Sequence, residues 1–220
     1  MTTDKSGWVV GKVLAEQART RGGKPFIQFE KGHMHTYAEA HAMGNRVGNG
    51  YSGIGIAFGD NVAVMLNNRL EYLWSWFGLS RIGGVLVGIN TALKGTFLTH
   101  VLTNTQSRVG VFEPEFLPWL ADIEDDVVDM AVVYVPGDVY DADNLPDFKR
   151  IEVRNFDEIL SSAPDDIPSK VTYRDIGMIM FTSGTTGPSK GALMPHGHLY
   201  LFGHCMETHL GLTEDDHYYI

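Results

Sequence analysis

Cysteine is nearly absent: the 220 residues contain only Cys205. An internal disulfide is thereby excluded, and the composition suits a reducing compartment, with the cytoplasm as the default location. Positive charge is also scarce, with 17 Lys and Arg against 27 Asp and Glu and a formal net charge of -10. The basic residues are scattered, so no nucleic-acid or anionic-membrane surface is expected, and any polyanion has to be met locally. No apolar stretch approaches the roughly 20 residues of a transmembrane segment. The N-terminus MTTDKSGWVV lacks the basic region and apolar core of a signal peptide. Repeats and low-complexity tracts are missing, and the nearest thing to a linker is SSAPDDIPSK, residues 161–170.

What is present points to an α/β fold. Hydrophobic residues make up 44% of the chain, enough for one substantial core. Four runs, NVAVML (61–66), GVLVGI (84–89), RVGVF (108–112) and MAVVYV (130–135), are valine-rich and do not alternate, as strands buried on both faces do not. Helical patterns fill the first two gaps: NRLEYLWSWFGLSRIGG, stopped by Gly83 and Gly84, and KGTFLTHVLTNT. Strand–helix–strand repeats of this kind predict a largely parallel, layered sheet. Upstream, FIQF, the turn EKG and HMHTY read as a hairpin leading into a helix whose capping box is T-Y-A-E, 36–39. Tyr37, Ala40, Gly44, Val47 and Tyr51 then share one face as a core stripe.

One stretch carries chemistry. In MIMFTSGTTGPSKG (178–191) an apolar strand breaks into hydroxyls and glycines, and Lys190 is the only formally charged residue from Ile176 to Gly203. Thr182, Ser183, Thr185, Thr186 and Ser189 all offer hydroxyl donors. Glycine amides approach an oxygen closely and hydroxyls rotate to meet it, so the loop suits an anion, with phosphate the leading candidate and a flexible surface turn the alternative. It is not the GxxxxGK[ST] loop, because Lys190 is followed by Gly191 and an extended stretch ending at Pro195 before the next helix.

Other motifs are set aside. GNGYSG (48–53) satisfies GxGxxG but follows a helix, which predicts a helix-ending turn. His198, His204, Cys205 and His209 match no zinc spacing, and no metal ligands are assigned. EDDVVD (124–129) and DVYDADN (138–144) lack the glycine and distal Glu of a calcium loop and read as solvated. Phe181 stands where a G-x-S-x-G nucleophile elbow needs Gly.

FTSGTTGPSKGALMPH resembles the signature of the adenylate-forming (AMP-binding) superfamily, and GDNVAVMLNN, WFGLSRIGGVLVGINTALKG and HVLTNTQSRVGVFE resemble its successive N-terminal segments. GINTALKG is nearer to carnitine-type and fatty acyl-CoA ligases than to peptide-synthetase domains. The resemblance implies attack of a carboxylate on the α-phosphorus of ATP with Mg2+, giving an acyl-adenylate and pyrophosphate, then thioester formation with coenzyme A. It implies that Thr182, Ser183, Gly184, Thr185, Thr186, Gly187 and Lys190 contact the β- and γ-phosphates, with Lys190 as the catalytic residue. Pro188 and Ser189 fall at variable positions, and Pro195 precedes His196 where Thr is common.

The family's later motifs would lie beyond Ile220, so the chain reads as an N-terminal portion of an AMP-binding domain, inactive alone. Within it, 1–55 is a hairpin plus helix, 56–175 an α/β sheet region, and 176–220 the phosphate loop and following helix. The implied partners are a carboxylic acid and coenzyme A, and a homodimer is compatible. The alternative is a non-catalytic nucleotide- or partner-binding fragment of the same fold.

Overall fold

The computed structural model describes residues 4–182 and 189–218. Helix α1 (Val10–Arg21) leads into the antiparallel hairpin β1 (Pro25–Gln28) and β2 (Met34–Thr36), then α2 (Tyr37–Gly53). Next come β3 (Asn61–Met65), α3 (Leu70–Ile82), β4 (Val85–Gly88), α4 (Thr96–Thr105) and β5 (Val109–Phe112). A short α5 (Leu117–Ala121), β6 (Val132–Val135), β7 (Glu152–Asn155) and one-turn α6 (Asp157–Leu160) follow. The described part closes with β8 (Ile176–Thr182), β9 (Lys190–Pro195) and α7 (His196–Leu210).

Seven strands form one sheet in the order β7-β6-β5-β3-β4-β8-β9, parallel throughout except for β9. The missing alternation in the valine runs has a direct cause. Val62, Val64, Leu86 and Val111 pack into one apolar layer with α2 and α3, while their neighbours Ala63, Met65, Val85 and Val87 pack into a second layer with α4 and α5. Both faces are covered, so the interior positions of these strands are apolar on either side.

Local signals read from the sequence appear as expected at two helix ends. Thr36 and Glu39 form the capping box of α2. Gly83 closes α3 in the left-handed region at φ 84, where its N–H bonds back to Leu79.

Three readings are corrected. GNGYSG is not a helix-ending turn: α2 runs through it to Gly53. The glycines there serve close packing. A Cβ on Gly78 of α3 would lie 2.7 Å from the Gly48 nitrogen, and one on Gly50 would collide with the carbonyl oxygen of Ile159 in α6.

Residues 161–170 are not a free linker. Asn49 donates to the carbonyls of Ala163 and Asp165, at 2.9 Å each. Buried Arg81 pairs with Asp166 and donates to the Ile167 carbonyl at 2.8 Å and to Asn45 at 3.1 Å. That guanidinium holds α2, α3 and the strap in one network.

Nor is EDDVVD wholly solvated. Glu124 is 3% exposed and its carboxylate accepts the backbone N–H groups of Lys149, Arg150 and Ile151. Those three donors outweigh its burial and keep its pKa below the usual glutamate value, although burial is the largest single influence on it.

The close approach of α2 to α6 generates a test. Gly50→Ala gains about 1 kcal/mol of helix propensity, but the backbone collision with Ile159 should cost about 1–3 kcal/mol as overpacking. We expect a net lower urea midpoint. An unchanged or higher midpoint would show that α6 is not seated on α2.

Candidate active site

The signature segment begins inside the sheet. β8 lies parallel to β4, with Leu86 opposite Met178 and Gly88 opposite Met180, so it ends at the carboxyl edge of the parallel strands. β9 returns antiparallel, pairing Thr182 with Lys190 and Phe181 with Gly191. The chain therefore leaves the carboxyl edge at Thr182 and re-enters it at Lys190. Ligands of open parallel sheets collect at that edge.

Thr182 and Lys190 are both exposed. Of the other predicted phosphate contacts, Ser183, Gly184, Thr185, Thr186 and Gly187 lie outside the described residues, as does Pro188.

The electrostatics separate this point of the edge from its neighbour. At the carboxyl ends of β3, β5 and β6, Arg69 is already surrounded: Glu71 sits 2.9 Å away, Glu113 3.9 Å, and Asp138 pairs with it too. The Asn67 N–H also donates to Glu113 at 2.9 Å. An anion there would face three carboxylates. Among the described residues Lys190 has no such partner, so its charge is available.

A residue not singled out in the sequence anchors the far end of the loop. His100, on α4, places Nε2 2.8 Å from the Ser189 carbonyl, which can only accept. Nε2 must therefore carry the proton, leaving Nδ1 to accept from Asn104 at 3.0 Å. The Phe181 ring meets the His100 ring edge-on at 6.3 Å. Within THVLTN the histidine looks like an ordinary helix residue, because the contact spans 89 positions and no spacing rule reaches it.

His196 opens α7 and is fully buried. Its ring lies against Gly177, where a Cβ would come 2.7 Å from Nδ1. Neither ring nitrogen has a hydrogen-bond partner among the described residues. Burial drives its pKa down to about 4, against a smaller opposing pull from Asp175. His196 thus packs as a neutral ring beneath the start of β8. His198, His204, Cys205 and His209 do not converge: His198 stacks on Phe202, His204 faces Glu207 at 3.6 Å, and His209 bonds the Cys205 carbonyl at 2.8 Å.

The frame is an α/β protein whose mostly parallel sheet presents exposed Lys190 opposite exposed Thr182 at its carboxyl edge. The sequence profile of the AMP-binding enzyme family matches residues 14–220, and the chain belongs to that family. A crotonobetaine/carnitine–CoA ligase of Citrobacter koseri is 30% identical over 207 residues, which are 91% of this chain and 39% of that protein. The corresponding ligase of Salmonella enteritidis is 31% identical over 185 residues, 83% of this chain and 35% of the relative. The chain thus spans well under half the length of these curated relatives.

Among solved structures, the anthranilate CoA ligase AuaEII in complex with anthranoyl-AMP superposes with a TM-score of 0.75 at 26% identity, over 86% of this chain and 35% of that one. A long-chain-fatty-acid-CoA ligase from Archaeoglobus fulgidus gives a TM-score of 0.80 at 20% identity over 98% of this chain and 42% of that one, a likeness of fold. No helix among the described residues is long and apolar enough to cross a membrane.

His196 supplies a pH test. Its folded pKa of about 4 lies below the ordinary 6.5, so on acidification the unfolded chain takes up the proton first. Stability should fall between about pH 6.5 and about pH 4 by up to about 3 kcal/mol on this account, and no further below. His35 and His41 are also depressed, both chiefly by burial, and add to the same slope. The reading is therefore the difference from His196→Leu in urea midpoints across that range. A variant whose acid-side loss equals that of wild type would contradict a buried neutral ring.

Proposed function

We propose that this chain contributes the polyphosphate-binding part of an ATP-dependent acid–CoA ligase. One observation carries the reading: Lys190, without a carboxylate partner among the described residues, stands opposite Thr182 at the carboxyl edge of the sheet. Thr182, Ser183, Gly184, Thr185, Thr186, Gly187 and Lys190 would hold the β- and γ-phosphates of ATP.

The residue chemistry fits phosphates, since hydroxyl and amide donors with an ammonium stabilise the negative charge that grows on departing pyrophosphate. Residues 176–203 contain no carboxylate, so this segment lacks the one or two carboxylates that usually hold Mg2+ beside substrate phosphates. The Mg2+ and coenzyme A of the complete reaction are therefore assigned no residues here.

In the whole protein the substrate we favour is an aliphatic carboxylic acid, of fatty or carnitine type. The likeness of GINTALKG to that branch and the crotonobetaine/carnitine–CoA ligase activity of the curated relatives support this choice. Soluble, cytoplasmic operation accords with the single cysteine.

Binding of inorganic pyrophosphate to the 220-residue chain tests the proposal, with wild type compared with Lys190→Ala and Lys190→Arg by calorimetry. Lys190→Ala should weaken binding about tenfold or more, on the order of 1.4 kcal/mol. Lys190→Arg should restore part of it, because a planar fork only partly replaces a compact ammonium. Equal affinity in wild type and Lys190→Ala, or no binding by wild type, would reject the assignment. For the acid, ATP–pyrophosphate exchange by the whole enzyme should depend on fatty or carnitine-type acids; exchange with amino acids and with neither of those would reject that choice.

A further inference from the structure

A second cluster of ligand-type side chains lies away from the signature loop. Among the described residues, His33, His35 and Glu39 bring one ligand atom each to within 4.8 Å of one another. Their placement follows from two short elements. His33 and His35 flank Met34 at the start of β2, and residues two apart on a strand project to the same side. Their rings meet edge to face with centroids 4.7 Å apart. Glu39 comes from the first turn of α2.

The capping box fixes that carboxylate. Glu39 Oε2 accepts the Thr36 N–H at 2.7 Å and the Thr36 hydroxyl at 3.1 Å, while Oε1 faces His33 Nε2 at 3.2 Å. One oxygen is thus held by the backbone and the other is turned toward the imidazoles. His35 is steadied separately, edge-on to Trp74 at 5.2 Å. Outer bonds that orient a first ligand shell in this way are a regular feature of metal sites. The helix cap and the hairpin each explain one part of the cluster, but neither calls for two histidines on one face.

We propose that His33, His35 and Glu39 bind one late first-row divalent cation, with zinc as its representative. Two imidazoles and one carboxylate are a borderline donor set that suits Zn2+, Ni2+ and Cu2+, whereas Mg2+ and Ca2+ take oxygens. Tetrahedral bonds of about 2.0–2.2 Å place ligand atoms roughly 3.4 Å apart. The ligand atoms therefore have to draw in by about an ångström, which small rotations of the two imidazoles provide while Glu39 stays on its cap. Solvent water completes the shell. The ion ties β2 to the first turn of α2, so it clips the hairpin to the helix, and binding raises stability by linkage.

Calorimetric titration of the 220-residue chain with zinc chloride, in a buffer without chelators at neutral pH, provides the test, together with melting temperatures. Wild type should take up one zinc with a saturable isotherm and melt higher with zinc than without. His33→Ala should weaken that uptake at least tenfold and abolish the melting shift. Glu39→Gln should also weaken it at least tenfold, yet keep the helix start, because Gln serves at the same capping position. Both variants should retain the wild-type far-UV circular dichroism; if His33→Ala does not, His33→Gln gives the same reading. No saturable uptake by wild type, or equal affinity and stoichiometry in both variants, would overturn the site.

Discussion

The candidate site depends on one constraint, that β8 runs parallel to β4 and antiparallel to β9. The parallel contact sends the chain out at the carboxyl edge of the sheet. The antiparallel contact brings it straight back, so Thr182 and Lys190 are fixed opposite each other on backbone hydrogen bonds. A strand-to-helix phosphate loop relies on a helix N-terminus for positive potential. Here the return element is a strand, and positive charge has to come from a side chain. In the proposed function Lys190 supplies that charge, which a neighbouring carboxylate would neutralise.

The edge is in turn held in place by packing away from the site. α2 and α3 approach closely because Gly48 and Gly78 face each other, and buried Arg81 joins them to the 161–170 strap through Asp166, Ile167 and Asn45. Burial lowers the Arg81 pKa while Asp166 opposes the shift, so the charge is paid for locally. Asp166 itself is largely exposed, and the bonds of Arg81 to Asn45 and the Ile167 carbonyl satisfy the buried part of the guanidinium. Beneath β8, the neutral His196 ring fills the space that Gly177 leaves open.

Much of this was legible in the sequence, for physical reasons that also explain the gaps. The valine runs are two-sided core, so β3, β4, β5 and β6 announced themselves. β7 did not, because Glu152 and Arg154 alternate along an edge strand that has a neighbour on one side only. GNGYSG was misread because helix propensity penalises glycine, whereas in α2 the glycines are required by the contacts with α3 and α6. Of the site, Thr182 and Lys190 could be found from the local pattern of hydroxyls and charge. His100 could not, since its bond to Ser189 joins α4 to the residue before β9 across 89 positions. The pairing of His33 and His35 with Glu39 crosses an element boundary and escaped for the same reason.

In the proposed function the polyphosphate is received where β8 leaves the sheet and β9 returns. Amide chemical-shift mapping of the 220-residue chain during a pyrophosphate titration tests it most directly. The account predicts that Thr182, Ser189, Lys190 and Gly191 shift most and saturate together. A concavity lined by Asp4, Lys5, Ser6, Lys12, Thr172 and Tyr173 near the amino end of β8, which offers lysines beside a carboxylate, serves as the internal comparison. Saturating shifts at that concavity, with Thr182 and Lys190 unmoved, would contradict the account.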